Sequence, residues 1–292
     1  MCDELTAADD AAALAKSGPA AGLDRRSFSA AAAGIMAAWS AGPALAAQGL
    51  AERKVAIPTA DGIADGFFVA PAKGKHPAVL MWPDIAGLRD AYTAMARRLA
   101  AAGYAVLVIN HYYRSSPAPI LKSIAEWRTP AGQAKLAPMI AALSPDGTAS
   151  DAQSFVRWLD TQPAVDRKRG IGTCGYCMTG PYVVRTAAAA PKRVRTAASF
   201  HGAGLVGPEA TSPDHLLAAT KASFLFAIAQ NDDARAPGDK DVLRAAALAA
   251  HRPAEIEVYH ADHGWCTLDA PSYDKAEAER AWARLLVLLA GL

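Results

Sequence analysis

Short, uninterrupted apolar runs alternate along the chain with segments of helical spacing. Residues 78–82 and 104–109 are such runs, and between them residues 88–102 have a helical spacing that ends at Gly103. Strands without polar positions are typical of a parallel sheet that helices cover on both faces. The pattern therefore predicts a β-α-β unit at the start of the core.

The same alternation continues to the end of the chain. The later predicted elements are a helix at 150–161, a strand at 169–175, a helix at 178–189, strands at 195–200 and 223–229, a helix at 239–250, a strand at 255–259 and a helix at 272–289. Ahead of the core, residues 54–57 and 66–70 are predicted to pair as an antiparallel hairpin around Asp61-Gly62. The whole pattern predicts a single-domain α/β fold with a doubly wound, mostly parallel sheet.

Residues 112–146 interrupt this alternation. The stretch is less regular and contains five prolines, which are Pro117, Pro119, Pro130, Pro138 and Pro145. Long connections of this kind in a compact domain are often functional. We therefore expect a partial cap over the carboxyl edge of the sheet, and we find no sign of a second domain or an internal repeat.

The N-terminal segment has the layout of an export signal. Arg25-Arg26 precedes a weakly apolar run at residues 30–39 and an Ala-x-Ala site, which predicts a twin-arginine signal peptide over residues 1–47 with cleavage near Ala46 or Ala47. The run is shorter than the ~20 residues that span a bilayer, so we expect no stable membrane span. The alternative is an Ala-rich amphipathic helix on the domain. The folded domain is predicted at 48–292, in the periplasm or secreted.

Composition adds few constraints. The chain has a net charge of +2, is 52% hydrophobic and 20% charged, and carries no block of basic residues, so we expect no nucleic-acid partner. Its four cysteines are too few and too clustered for a disulfide framework. No grouping of histidines and acids has zinc-like spacing and no glycine-rich phosphate loop is present. We therefore expect neither a metal nor a cofactor.

Cys177 lies in a pattern that predicts a nucleophile. Residues 172–180 read Gly-Thr-Cys-Gly-Tyr-Cys-Met-Thr-Gly, so a strand enters a tight turn and then a helix, with Cys177 at the turn. Such an elbow lifts a side chain above the sheet, and a helix N-terminus favours a thiolate. A buried structural cysteine is the alternative interpretation.

Two later segments supply the carboxylate and the base that such a nucleophile needs. Asp232 follows the predicted strand at 223–229, and His263 follows the predicted strand at 255–259. Ligand crevices of parallel sheets lie outside the carboxyl ends of the strands. The chain order Cys, Asp, His therefore predicts a catalytic triad at that edge.

Each of these two assignments has neighbouring rivals. Asp233 is adjacent to Asp232 and competes for the role of triad acid, although its spacing from the strand is less favourable. His260, at a strand end, and His201, which follows another predicted strand, are weaker rivals of His263.

At these positions the chain resembles the dienelactone hydrolase family. Residues 175–180 read Gly-Tyr-Cys-Met-Thr-Gly and residues 259–265 read Tyr-His-Ala-Asp-His-Gly-Trp, which are similar to the elbow and the late histidine segment of that family. The resemblance extends from about residue 55 to 289. It implies a fold of the α/β-hydrolase type and a cofactor-free thiol hydrolase of small esters or lactones, with Cys177, Asp232 and His263 as the triad.

The resemblance also implies roles for the segment after the first core strand. Family members carry a glutamate there that contacts the resting thiol, and this chain has the shorter Asp84 at that position. Capping of the helix that begins near residue 88 is an alternative role for Asp84. The oxyanion hole implied by the resemblance consists of the backbone N–H groups of Ile85 and Met178.

Other positions depart from the family pattern and concern the substrate. Thr179 replaces the second glycine of the elbow, and Thr267 stands where dienelactone hydrolases proper have a substrate-binding arginine. Within the predicted cap, Arg128 beside Trp127 is a candidate for that cation, and so is Arg114. The natural substrate is therefore not expected to be dienelactone itself.

Two other functions remain open at this point. Cys174 and Cys177 form a Cys-x-x-Cys pair at a strand-to-helix junction, as in thiol-disulfide oxidoreductases. The departures at Asp84 and Thr179 also allow a non-catalytic binding protein on the same fold. For every alternative the oligomeric state is expected to be a monomer or a homodimer.

Overall fold

Two antiparallel strands precede the parallel core. The computed structural model describes residues 49–292, so the predicted signal segment, 1–47, lies outside the described residues and stays a prediction. Strands β1 (Leu50–Thr59) and β2 (Gly62–Pro71) pair antiparallel along their whole length. The turn places Gly62 at a φ of 136°, a conformation that favours glycine. The predicted hairpin is confirmed and is longer than expected.

The remaining strands of the described chain run parallel to one another. They are β3 (Ala78–Trp82), β4 (Ala105–Ile109), β5 (Ile171–Tyr176), β6 (Val194–Phe200), β7 (Ser223–Ala229) and β8 (Ala254–Tyr259). The sheet has the order β1-β2-β4-β3-β5-β6-β7-β8, and β2 joins β4 antiparallel. After β4 the chain crosses back over β3 to reach β5. The direction in which strands are added therefore reverses between β3 and β5, and the carboxyl ends of these two strands form a topological switch point. This confirms the predicted doubly wound sheet.

Helices cover both faces of the sheet. They are α1 (Asp90–Ala101), α2 (Ile124–Trp127), α3 (Pro130–Ala141), α4 (Pro145–Thr161), α5 (Gly180–Ala189), α6 (Pro213–Leu216), α7 (Gln230–Arg235), α8 (Asp239–Ala249) and α9 (Lys275–Leu289). Within the described part of the chain, no helix combines the length and apolar character that crossing a bilayer requires.

The side chains of β3 show how the two layers of core arise. Leu80 and Trp82 pack into the cluster that α4, α5 and α8 complete, whereas Val79 and Met81 pack into the cluster that α1 and α9 complete. All four side chains are buried. Because side chains alternate across a strand, a strand between two helical layers is apolar at every position.

The cap is more regular than the sequence analysis expects. Residues 112–123 contain neither helix nor strand, as the expectation of a less regular stretch requires, but α2, α3 and the first two residues of α4 lie within 124–146. Two of the prolines begin helices: Pro130 and Pro145 occupy first-turn positions, where a missing N–H costs nothing. The hydroxyls of Thr129 and Ser144 cap these helices.

Two helix boundaries near the carboxyl edge also differ from the prediction. Helix α1 begins at Asp90 because Arg89 is extended, with φ −153° and ψ −179°. The segment after β7, expected as a loop, forms the short helix α7 and carries Asp232 in its first turn.

Two glycines bring the loop after β6 against the start of α5. A Cβ atom on Gly180 would lie 2.3 Å from the Cα of Gly202, and one on Gly202 would lie 3.0 Å from the Cα of Gly180. Real Cβ atoms do not approach backbone so closely. The helix that follows Cys177 is therefore seated directly on the neighbouring strand's loop.

Gly180→Ala is expected to destabilise the protein by about 1–3 kcal/mol, because the added methyl overfills this backbone contact. Urea unfolding of both proteins measures the change. Gly238→Ala is the matched control, since a Cβ there meets nothing within 4 Å. Equal unfolding midpoints for the two variants would contradict the importance of this contact.

Candidate active site

Cys177 stands at the tip of a sharp turn between β5 and α5. Its φ is 57°, in the left-handed region that non-glycine residues rarely occupy. A single 3-10 turn, Cys177–Thr179, leads into the helix. Gly175 permits the tight return, because a Cβ there would lie 2.5 Å from the carbonyl oxygen of Thr179. The strand, turn and helix are those that the sequence predicts for an elbow.

Thr179 fastens this elbow to the next strand. Its buried hydroxyl lies 2.9 Å from the carbonyl oxygen of Trp82, at the end of β3, and 3.0 Å from that of Tyr176. The same oxygen accepts the Tyr176 N–H at 3.1 Å. The departure from glycine at this position therefore adds hydrogen bonds that hold β5 and β3 together at the catalytic edge.

Asp232 and His263 are hydrogen-bonded across the ends of β7 and β8. Oδ2 of Asp232 lies 2.7 Å from Nδ1 of His263. The His263 N–H donates to the side chain of Asn231 at 2.8 Å, and the Ser272 hydroxyl donates to the His263 carbonyl at 2.6 Å. His263 is therefore held by hydrogen bonds at its ring, at its backbone N–H and at its carbonyl oxygen.

Two of the alternative candidates, Asp233 and His260, lie away from this hydrogen-bonded pair, and the third, His201, lies next to it. Oδ1 of Asp233 binds Nζ of Lys240 at 2.6 Å, so Asp232 is the acid that faces the imidazole. His260 is exposed to solvent at the end of β8. His201, by contrast, is buried beside His263.

His263 and Cys177 line the same cavity. Burial lowers the pKa of His263, but its proximity to Cys177 and the hydrogen bond of its ring with the Asp232 carboxylate raise that pKa well above its ordinary value. Cys177 and Asp232 therefore both favour the protonated form of the imidazole, while Nε2 of His263 has no hydrogen-bond partner among residues 49–292.

Asp84 is held by an arginine that the sequence analysis missed. Nη1 and Nη2 of Arg89 donate to the two carboxylate oxygens of Asp84 at 2.6 and 2.8 Å. Nε and Nη2 of Arg89 donate to Asp269 at 2.8 and 2.7 Å. Oδ1 of Asp84 also accepts the N–H of Ala86 at 2.9 Å. Asp84 is thus engaged with Arg89 and the loop after β3.

The two predicted oxyanion-hole residues lie in the loops after β3 and β5. Ile85 borders the same cavity as Cys177, and its carbonyl accepts the Tyr112 hydroxyl at 2.9 Å. Its N–H has no hydrogen-bond partner among residues 49–292. Met178 follows Cys177 in the 3-10 turn.

A small cavity of about 30 Å³ that opens to solvent lies at Cys177. The residues that line it come from the loops after β3, β5, β6 and β8 and from the cap: Asp84, Ile85, Ile124, Trp127, Arg128, Cys177, His201, His263, Gly264, Thr267, Ala270 and Ser272. The wall is largely apolar on the cap side.

The candidate substrate residues separate into two groups. Trp127 and Arg128 line the cavity, as does Thr267. Arg114 does not: its guanidinium binds Asp61 at 2.6 Å and Asp151 at 2.7 Å. The structure therefore brings only Arg128 of the two candidate cations to the cavity.

The geometry of the cysteines disfavours a redox pair. Cys174, Cys177 and Cys266 are free thiols, and Cys174 is buried within β5. Three residues of extended strand separate Cys174 and Cys177 by about 10 Å, whereas a disulfide joins Cα atoms no more than about 7 Å apart. Burial raises the pKa of Cys174 to about 12, which suppresses the thiolate that exchange requires.

Comparisons with known proteins agree with this geometry. The Dienelactone hydrolase family profile matches residues 64–291. Two proteins assigned as carboxymethylenebutenolidases are each 26% identical to the chain. The Methylorubrum extorquens protein aligns over 82% of this chain and 80% of its own length, and the Synechocystis protein over 79% and 93%.

Solved structures share the fold. A protein from Klebsiella pneumoniae assigned as a dienelactone hydrolase superposes with a TM-score of 0.71 at 21% identity, over 83% of this chain and 99% of that one. A metagenomic dienelactone hydrolase-like promiscuous phosphotriesterase gives 0.67 at 19%, over 83% and 98%. From the family match, the chain belongs to the dienelactone hydrolase family and is a carboxylic ester hydrolase.

Proposed function

We propose that the chain hydrolyses small esters or lactones with Cys177 as nucleophile, His263 as proton carrier and Asp232 as the acid that orients the imidazole. The observation that carries this proposal is the shared cavity of Cys177 and His263, with Asp232 bound to the far ring nitrogen at 2.7 Å. Nucleophile, base and orienting group follow one another as the triad mechanism requires.

The first half-reaction forms a thioester. The sulfur of Cys177 attacks the carbonyl carbon, and the N–H groups of Ile85 and Met178 stabilise the oxyanion. As the intermediate collapses, the bond to the alkoxy oxygen breaks and His263 transfers its proton to that oxygen. The alcohol, or the opened end of a lactone, is released from the thioester carbon.

The second half-reaction returns the enzyme to its resting state. A water molecule attacks the thioester while the now neutral His263 accepts a proton from it. The carbon–sulfur bond breaks, the acid leaves, and Cys177 is again paired with the imidazolium. Asp232 keeps the Nδ1 proton in place throughout, because its carboxylate is the acceptor at that nitrogen.

Asp84 has a positioning role in this scheme. Both of its oxygens are engaged by Arg89, and one of them also accepts the N–H of Ala86, directly after Ile85. We infer that Asp84 fixes the direction of the Ile85 N–H. The interaction with the resting thiol that the family resemblance implies for this position is proposed for His263 instead.

The cavity wall favours substrates that carry a carboxylate. Arg128 supplies a guanidinium beside the indole of Trp127, within a wall that is otherwise largely apolar. Guanidinium groups bind carboxylates in a planar, charge-assisted geometry. A small ester or lactone with an acid group fits this arrangement.

Replacement of the nucleophile tests the triad. Cys177→Ala is expected to reduce kcat/KM for p-nitrophenyl esters and small lactones by at least about 10³-fold. Cys174→Ala, a buried thiol in the same strand, is the matched control and retains activity with or without reductant. Activity that survives in Cys177→Ala contradicts the mechanism, and binding without turnover by the wild type identifies a binding protein.

The raised pKa of His263 predicts a pH-dependent stability. Because the folded-state pKa exceeds the ordinary value of about 6.5, the imidazolium stabilises the folded state fully below that pH. The contribution is lost as the pH rises through the higher folded-state pKa. Urea unfolding at about pH 6 and about pH 9 is expected to show the wild type losing stability relative to His263→Gln. A pH-independent difference contradicts the resting imidazolium.

Arg128→Gln tests the substrate class. Loss of a charge-assisted hydrogen bond, worth about 1.5–3 kcal/mol, is expected to lower kcat/KM for a carboxylate-bearing ester by about 10- to 100-fold. The uncharged ester of the same size is the control substrate and changes little. Equal losses on both esters show that Arg128 supports the cavity without selecting the charge.

A further inference from the structure

His201 is a buried imidazole beside the catalytic pair. It follows β6 with a φ of 40° and is 1% exposed. Its backbone N–H donates to the carbonyl of Ala227 at 2.8 Å, whereas neither ring nitrogen has a hydrogen-bond partner among residues 49–292. Each buried polar atom without a partner costs about 1–3 kcal/mol. The two unpaired ring nitrogens therefore lower the stability of the folded protein.

The surroundings of the ring place it on the cavity. His201 lines the same cavity as Cys177, and its ring centroid lies 4.7 Å from that of His263 and 5.2 Å from that of Trp265. The loop that carries it is tied to the nucleophile, because the N–H of Ala203 donates to the carbonyl of Cys177 at 3.3 Å.

The ring of His201 is neutral at neutral pH. Burial, together with the positive charge of His263, lowers its pKa well below the ordinary value. A neutral imidazole offers one N–H donor and one lone pair. The ring can therefore hydrogen-bond a substrate atom without exchanging a proton with it.

His111 shows that burial without partners does not by itself indicate a site. It is 2% exposed, and both of its ring nitrogens also lack partners in the described chain. The centroid of its ring lies 4.1 Å from that of Tyr112. His111 is not among the residues that line the cavity. The cavity is what distinguishes His201.

The order of the strands in the sheet indicates which substrate atom would lie next to His201. Strands β3 and β6 flank β5 on opposite sides. The Ile85 N–H, proposed to bind the carbonyl oxygen, comes from the β3 side, whereas His201 and His263 stand on the other side of Cys177. The atom beside both imidazoles is therefore the oxygen to which His263 delivers its proton.

We propose that the N–H of His201 donates a hydrogen bond to the leaving alkoxy oxygen of the substrate, a role that rests on the proposed function. The sulfur–carbon bond forms, the carbon–oxygen bond breaks, and the oxygen receives its proton from His263. His201 keeps its own proton and stabilises the charge that grows on the oxygen before transfer. This hydrogen bond is expected to matter most for esters whose alkoxy group is a poor leaving group.

The test is the dependence of rate on the leaving group. His201→Phe keeps an aromatic ring against His263 and removes both nitrogens. It is expected to change kcat/KM for a p-nitrophenyl ester less than about threefold and to lower it about 10- to 100-fold for the ethyl ester of the same acid. His111→Phe is the matched control and leaves the ratio of the two rates unchanged.

A second variant keeps the proposal testable if His201→Phe fails to fold. Asparagine tolerates a positive φ and keeps a donor, so His201→Asn is expected to give an intermediate ratio. Equal loss on both esters, or an unchanged ratio in both His201 variants, overturns the role of His201 alone. Failure of the wild type to hydrolyse any ester overturns the proposed function and this role together.

Discussion

The ion pairs of Arg89 are the interaction on which the catalytic edge depends. The guanidinium is fully buried and binds Asp84 from the loop after β3 and Asp269 from the loop that carries His263. Asp269 in turn accepts the N–H of Ile124 in the cap at 3.2 Å. Three segments that are far apart in the sequence are thus linked through the Arg89 guanidinium and its partner Asp269. Removing one member of a buried ion pair costs about 3–5 kcal/mol, and here the loss would also release loops that border the cavity.

A second constraint sets the position of the nucleophile within that frame. The left-handed backbone of Cys177 is unfavourable by about 1–3 kcal/mol, so neighbouring contacts must hold it. The Thr179 hydroxyl binds the carbonyl of Trp82, and Gly180 lies against Gly202. The first contact joins the elbow to β3 and the second to the loop after β6. The same packing that strains Cys177 therefore aligns it with the Ile85 loop on one side and His201 on the other.

Much of the fold could be predicted from the sequence because its signals are local. Strands buried on both faces are apolar throughout, and the elbow needs small residues close to Cys177. The cap helices could not be recognised, because Pro130 and Pro145 were interpreted as interruptions whereas both occupy first turns. The pairing of Arg89 with Asp269 joins residues 180 positions apart, and no periodicity reports such a contact. For the same reason the burial of His201, which depends on the packing of Trp265, could not be predicted.

The two carboxylates of the candidate site, Asp84 and Asp232, have different partners, and of the two Asp84 is the buried one. In the proposed mechanism, Asp232 faces an imidazole that gains and loses a proton, so its charge acts on the chemistry of Cys177 through His263. Asp84 faces a guanidinium that stays charged at every accessible pH and that it shares with Asp269, so its hydrogen bonds hold the loop after β3 in place. In the proposed mechanism, activation of the thiol therefore falls to His263, whereas Asp84 and Arg89 shape the loop that carries Ile85.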